Sequence, residues 1–338
     1  MRSVGVVVPT RGDRPATLRQ AVEGVLAQEH PGALTVAVVV DGGAGGTAGG
    51  TAGGTVGGAA SGTVGGAAGG AAGGGAGVAK VCLEIAGQLR GLAGAARRRV
   101  LVLPNTRTPG LPGARNTGIA ALGTDLVAFC DDDDLWLPGK LAAQLDALRD
   151  GGGEFASCGI EVEHDGHRVP RLAGTSEVRA ADLVRSRMVM VHSSTFLFER
   201  GAVWPDESAP GGQNEDWDLA LRAAKRRPIA YVDRPLVRVR WGASHYAARW
   251  ADRIAGLDWM LARHPELAVD PRGAARVYGQ LAFGHAALGR RRQALRWAAR
   301  ALAARLVEPR APIALAVAAG LVSAPAVLSR LHDRGHGI

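Results

Sequence analysis

The sequence predicts an α/β fold: a mixed, mostly parallel sheet flanked by helices, followed by a C-terminal helical region. Three observations predict it. Strand, helix and strand succeed one another within residues 4–40, the βαβ unit of a parallel pair. The apolar run Val127-Ala128-Phe129-Cys130 stops abruptly at Asp131-Asp132-Asp133-Asp134, as a buried strand does where it delivers polar groups to the carboxyl edge of a sheet. From Trp250 onward apolar residues recur at helical spacing.

Taken in order, Val4–Val8 is a β-branched strand closed by Pro9-Thr10. The next helix carries Leu18, Val22, Val25 and Leu26 on one face, with Thr17 as its N-cap. A second strand, Leu34–Val40, ends at Asp41, beside the end of the first. Residues 42–77 are almost only Gly, Ala, Thr and Val. Such a segment buries too little side chain to offset chain entropy, so it reads as a flexible insertion. A phosphate-cradling loop would be short and followed by Lys-Ser or Lys-Thr, which are missing here.

A helix over 78–92 and a strand over 100–103 come next. The stretch 109–118, rich in Gly and Pro, leads into a helix at 119–122. After the four aspartates another helix opens, with Leu141, Leu145 and Leu148 on one face. Phe155–Val162 is a strand and His164-Asp165-Gly166-His167 a hairpin turn whose two histidines, without a third ligand, belong at the surface. His192-Ser193-Ser194-Thr195 leads into the strand Phe196–Phe198, and Glu215, Asp216 and Asp218 open a helix. Short strands at 229–232 and 236–239 close this part. In the helical tail Leu288, Leu295, Leu302 and Leu306 are expected to share one face, with arginines around the rest. The division is therefore 1–249 and 250–338.

The chain has 338 residues, 47% of them apolar, enough for a substantial core. A formal net charge of +9 favours anionic partners: nucleic acid, an anionic membrane face or phosphorylated substrates. Aromatics at 4% leave no stacking cluster, so nucleic acid is not expected. Three cysteines (Cys82, Cys130, Cys158) lack metal-ligand spacing, and an odd number argues against a disulfide framework. The opening MRSVGVVVPT is too short an apolar run for a signal peptide. The longest apolar stretch, 311–328, is interrupted by Pro312, Gly320, Ser323 and Pro325. A cytoplasmic location is expected, with basic amphipathic C-terminal helices suited to peripheral contact with an anionic membrane face.

Four clustered carboxylates repel one another and call for a counter-charge, which a divalent cation with oxygen ligands would supply; the alternative is an exposed acidic turn capping the next helix. Asp41 is either a nucleotide or ribose contact or a loop aspartate. Arg115 stands near a helix start, where a cation opposes the dipole, and so is a candidate for a phosphate or sugar contact. Glu215-Asp216-Trp217-Asp218 is either dipole-favoured charge or the seat of a general base.

Together these motifs resemble the family 2 glycosyltransferases, over most of residues 3–246. Val7-Val8-Pro9-Thr10 with Gln28 is similar to that family's opening strand and helix, and Val39-Val40-Asp41-Gly42 to its second-strand aspartate. Gly113-Ala114-Arg115-Asn116-Thr117-Gly118, Phe129 to Asp134 and Trp136 to Leu141 resemble its most specific block, and Glu215-Asp216-Trp217-Asp218 its later acidic motif. The resemblance implies a GT-A fold with a Rossmann-like nucleotide-binding half. It also implies inverting transfer of a sugar from a UDP-, dTDP- or GDP-sugar to an acceptor hydroxyl, assisted by Mn2+ or Mg2+. Asp131 and Asp133 would take the DXD places, Asp131 toward the ribose, and both are candidate ligands of the metal, Asp133 foremost. Asp216 would be the general base. Pro9, Thr10, Arg11 and Asp41 would line the nucleobase and ribose pocket, and Arg115 would approach the diphosphate or sugar. The family's usual Ser and Asp after Asp41 are replaced by Gly43-Ala44. Its histidine near the metal is missing beside Arg240, leaving His245 as a further candidate ligand. Polysaccharide, glycolipid, secondary-metabolite and protein acceptors stay open.

Two other readings compete. A family member without activity would serve as a scaffold, against which the intact acidic motifs speak. A sugar-phosphate nucleotidyltransferase would need a richer Gly loop with Arg after the first strand than Pro9-Thr10-Arg11-Gly12 offers.

Overall fold

The structure is a computed structural model that describes residues 1–42, 72–92, 97–240 and 249–332. Its centre is a ten-stranded sheet. Strands β1 (Val4–Thr10), β2 (Leu34–Val40), β3 (Arg98–Pro104) and β4 (Leu126–Phe129) are parallel, in the order β3-β2-β1-β4. The chain thus leaves β1 toward β3 and returns on its other side at β4. That reversal opens a crevice at the carboxyl ends of β1 and β4, where open α/β sheets bind ligands. Beyond β4 the order is β9-β6-β10-β5, formed by β5 (Leu135–Trp136), β6 (Phe155–His164), β9 (Leu197–Glu199) and β10 (Ile229–Arg240). Strands β7 (His167–Arg171) and β8 (Glu177–Val178) pair with β6 and β10. Antiparallel pairing enters with β9, which gives the mixed, mostly parallel sheet that was expected.

The central strands are apolar on both faces because both are covered. Val6 and Val8 face a core with Leu18, Val22 and Ile85, while Val7 faces one with Ile119, Phe129 and Trp217. Helix α1 (Pro15–Leu26) starts at Pro15, whose fixed φ suits a first helical position; Arg14, not Thr17, is its cap residue. The Thr17 hydroxyl instead donates to the Arg14 carbonyl at 3.1 Å. Helix α2 (Ala72–Gln88) begins within the stretch expected to be an insertion, ahead of Val78; residues 43–71 of that stretch lie outside the described residues.

Helix α3 (Leu111–Ala121) likewise starts before position 119. Its glycines serve packing: a Cβ on Gly118 would stand 2.3 Å from Val7, and one on Gly113 1.8 Å from the Thr108 carbonyl oxygen. Helices α4 (Lys140–Gly151), α5 (Ala180–Arg185) and α6 (Glu215–Arg226) complete the layers. The hairpin at 164–167 is present, with His164 opposite His167. The two short strands expected at 229–239 are one strand, β10, with register shifts at Pro235, where a residue without an N–H is tolerated.

Helices α7 (Trp250–Arg263), α8 (Glu266–Val269), α9 (Pro271–Ala287), α10 (Arg291–Ala304), α11 (Arg310–Ala318) and α12 (Ala324–His332) follow. Alanines fill the contact between α9, α10 and α11 with Phe283. This corrects the expected leucine face: Leu295 is 54% and Leu306 84% exposed. Helices that approach this closely need small residues between them, so Leu288, Leu295 and Leu306 turn outward, while Leu302 packs against the alanines. Among the described residues no helix is long and apolar enough to cross a membrane.

Candidate active site

The crevice holds a cleft of about 400 Å³. Pro9, Thr10 and Arg11 at the end of β1 line it, as do Asp41 after β2 and the aspartates after β4. Arg115 from α3, Arg187 and His192 from the segment before β9, and Glu215 and Asp216 at the start of α6 complete it. Every proposed donor or catalytic side chain therefore reaches one space; His245 lies outside the described residues.

The four aspartates do different things. A turn closed by the Asp134 amide on the Asp131 carbonyl at 3.1 Å brings the first and last together. His192 joins them: one ligand atom from each of Asp131, Asp134 and His192 lies within 4.8 Å of the others. Two serines hold the group, Ser193 Oγ donating to Asp131 at 3.0 Å and Ser194 Oγ to Asp134 at 2.6 Å. Burial, reinforced by Asp131 and Asp133, pushes the Asp134 carboxyl well above its ordinary value. Burial also keeps His192 below its ordinary value, against the pull of Asp131. A neutral imidazole between two crowded carboxylates is a donor set short of positive charge, and it suits a divalent metal such as Mn2+.

Asp132 and Asp133 point to β1 and α1. Thr10 Oγ1 donates to Asp132 at 2.6 Å, and Arg14 pairs with Asp132 at 3.0 Å and with Asp133. Burial raises Asp132 to about 6 despite these partners. Asp41 spends both oxygens on the loop before α3, accepting from the Asn105 amide and the Gly110 N–H at 2.9 Å each. It thereby fixes the floor of the β1–β2 side of the cleft.

Arg115 is 1% exposed. It donates to Asp131 at 2.7 Å, pairs with Glu215 and lies 5.2 Å from the Phe129 ring centre. It therefore ties the acidic run after β4 to the acidic start of α6. Asp216 sits beside that tie. Nη2 of Arg187 donates to both its oxygens, at 2.9 and 2.8 Å, and the Trp217 N–H donates to Oδ1 at 2.8 Å. Burial alone would raise this carboxyl; Arg187, then His192 and Arg115, outweigh it and hold the group below its ordinary value. Asp216 is thus ionised at neutral pH and faces the cleft.

Three participants carried no role in the sequence, Arg14, Arg187 and His192, and Asp134 was read only as one member of the acidic cluster. Asp134 had a readable signal, since a four-residue turn juxtaposes its ends. Arg187 and His192 had none, because only the chain's path from α5 to β9 brings them here.

In fold the molecule is similar to TarS of S. aureus. TarS 1–349 in complex with UDP-GlcNAc matches with a TM-score of 0.56 and 13% identity over 99% of this chain and 92% of that one. A second TarS structure matches with a TM-score of 0.54 and 15% identity over 94% of this chain and 53% of that one. The fold is of the GT-A type. Residues 82–204 match the family described as glycosyl transferase family 2. The UDP-Glc:alpha-D-GlcNAc-diphosphoundecaprenol beta-1,3-glucosyltransferase WfgD of Escherichia coli is 24% identical over 135 residues, 40% of this chain and 52% of the relative's length. The matched segment thus spans about half of that curated relative. The family match covers residues 82–204 of the 338.

Proposed function

We propose that the protein transfers a sugar, with inversion, from a nucleotide-diphospho-sugar to an acceptor hydroxyl. The observation that carries this reading is the placing of the ionised Asp216 in one cleft with the Asp131–Asp134–His192 group, joined to it through Arg115 and Glu215. The UDP-GlcNAc complex of TarS and the UDP-Glc in the name of WfgD support a nucleotide-sugar as donor.

In this reading Pro9, Thr10, Arg11 and Asp41 receive the nucleoside at the β1–β2 edge. Asp131, Asp134 and His192 would hold Mn2+ or Mg2+, with Asp133 the remaining candidate ligand from the DXD pattern. Bound there, the ion would neutralise charge on the departing diphosphate. Asp216 takes the proton of the acceptor hydroxyl as its oxygen attacks the anomeric carbon. The bond from that carbon to the diphosphate breaks on the opposite face, and the nucleoside diphosphate leaves. One base suffices for such a single displacement, provided it stands within about 3 Å of the hydroxyl. Arg115 keeps Asp131 and Glu215 in register, so that the donor and acceptor sides keep their spacing.

Exposed Leu295, Leu306 and Leu321 among exposed arginines of α10 and its flanks support peripheral contact with an anionic membrane face. The diphosphoundecaprenol acceptor in the name of WfgD agrees with that location. The decisive test is calorimetric titration with UDP, GDP and dTDP, with and without Mn2+, beside Asp131→Ala. Metal-dependent binding of one nucleotide, lost in the variant, is the expected result. Absence of binding by all three would refute the reading.

A further inference from the structure

Three guanidinium groups gather on the side of Arg187 that adjoins Asp216: Arg187 itself lines the cleft, and Arg253 and Arg276 lie close enough behind it to be affected by its charge. Arg187 lines the cleft and engages Asp216 through Nη2 alone; its other nitrogens make no hydrogen bond among the described residues. Arg253 comes from α7, which packs so closely on the loop before α6 that a Cβ on Gly256 would stand 2.5 Å from Gln213. It lies half-buried, 4.8 Å from the Trp250 ring centre, and forms no ion pair among the described residues. Arg276 comes from α9 and lies 4.7 Å from the ring centre of Trp217, the neighbour of Asp216. It is 8% exposed, and its Nε and Nη2 are buried without a hydrogen-bond partner. Gly273 brings α9 to this place, since a Cβ there would stand 2.5 Å from the Val184 carbonyl at the end of α5, just ahead of Arg187. Burial, then the charges of Arg310 and Arg187, pushes Arg276 down to about 9 against the opposing charge of Glu308, and burial with Arg187 lowers Arg253.

An unpaired buried guanidinium is costly, and its planar fork matches a phosphate. We propose that Arg187, Arg253 and Arg276 form a subsite for a phosphate-class anion carried by the acceptor, on the Asp216 side of the cleft. The inference rests on the reading of Asp216 as the base that faces the acceptor. It also gives the Arg187–Asp216 pair a purpose. An anion that takes up the free nitrogens of Arg187 draws its charge away from Asp216, so the base is released when an acceptor is in place.

The same chemistry could come from the donor's diphosphate, so the test separates the two sources. Inorganic phosphate is titrated calorimetrically into the protein saturated with UDP and Mn2+, for the native chain, Arg253→Met and Arg276→Met. Phosphate should bind the UDP-loaded protein, and Arg253→Met should weaken it about tenfold or more while UDP affinity stays unchanged. Thermal melts show whether Arg276→Met keeps its fold; the half-buried Arg253 decides if it does not. Phosphate that binds only when UDP is absent, binding indifferent to Arg253→Met, or no phosphate binding would each overturn the proposal. If UDP itself fails to bind, the donor reading falls, and the phosphate titration of Arg253→Met still decides the subsite on its own.

Discussion

Nη2 of Arg187 reaches both carboxylate oxygens of Asp216, at 2.9 and 2.8 Å, inside the cleft. The pair sets the electrostatics of the proposed base. A guanidinium on a carboxylate favours its ionised form, and Asp216 is accordingly held below its ordinary value once Arg187, His192 and Arg115 offset its burial.

The first prediction concerns pH. In the native protein the acidic limb of kcat/KM governed by Asp216 should lie below the usual carboxylate range. Arg187→Met removes the largest opposing charge, so burial then dominates and the limb should move to higher pH. Asp216→Asn should cost about 10²–10⁴-fold in kcat at every pH. An acidic limb in Arg187→Met that stays in place would show that the base is another group.

The second concerns Asp132, whose side chain is 5% exposed and whose carboxyl burial raises from 3.8 to about 6. The folded protein keeps a proton that the unfolded chain has already lost. Stability from this group is therefore present below about pH 4 and falls as pH rises toward 6. Asp132→Asn should stabilise the metal-free protein at pH 8 by on the order of 2 kcal/mol and by little at pH 4. Urea denaturation at the two pH values measures this. A loss at pH 8 would mean that the Arg14 pairing outweighs the burial.

The third concerns Asp218, fully buried at the joint between α6 and α7. It accepts from Arg222 Nε at 2.8 Å and Arg263 Nε at 2.6 Å, and it contacts His264 Nε2 at 2.9 Å. Burial opposes the charge, but His264, Arg222 and Arg263 bring the carboxyl down to about 2. Its contribution is present above 3.8 and is lost as pH falls toward 2. Asp218→Ala removes the fully buried carboxylate that Arg222, Arg263 and His264 share, leaving Arg263 with Asp206 and Arg222 with the Trp204 carbonyl, and should cost about 3–5 kcal/mol at pH 7. Denaturant midpoints test it; a change under about 1 kcal/mol, the range of an exposed pair, would contradict it.

The fourth tests packing. Gly118→Ala places a methyl against Val7, and overpacking of this kind costs about 1–3 kcal/mol. The substitution should lower Tm while leaving UDP affinity in the surviving folded protein unchanged. Lost affinity at unchanged Tm would instead place this glycine against the donor's phosphates.

That last contrast shows what the sequence disclosed. Strands β1, β2 and β4 were legible because their apolar runs end sharply at Pro9-Thr10, Asp41 and Asp131, and those endings also place the cleft. The motif Gly113 to Gly118 was legible as a motif but not as a helix, because glycines that admit a neighbouring strand or carbonyl look the same as glycines that cradle an anion. The strands β5 and β8 carry two residues each, too few for any periodicity to show. Arg187 and His192 gain their meaning from a chain path that returns from α5 to β9, and no local pattern records it. The C-terminal helices were legible as helices, but their buried faces are alanines that hydropathy alone assigns less readily than the exposed leucines.

The final prediction separates two ligand sets. The DXD pattern puts Asp133 on the metal, whereas the geometry groups Asp131, Asp134 and His192 and leaves Asp133 paired with Arg14. Mn2+ affinity, followed by electron paramagnetic resonance of the free ion, should fall about 10–100-fold or more in His192→Ala and Asp134→Asn. Asp133→Asn should have the smaller effect, because Arg14 keeps its pair with Asp132 and no member of the group is removed. Burial of Asp134 makes its substitution structurally mild, since Asn can still accept from Ser194 Oγ, which now stands 2.6 Å from the carboxylate. If Asp133→Asn abolishes Mn2+ binding while His192→Ala leaves it intact, the DXD assignment holds and the Asp131–Asp134–His192 group is a hydrogen-bonded support for the turn.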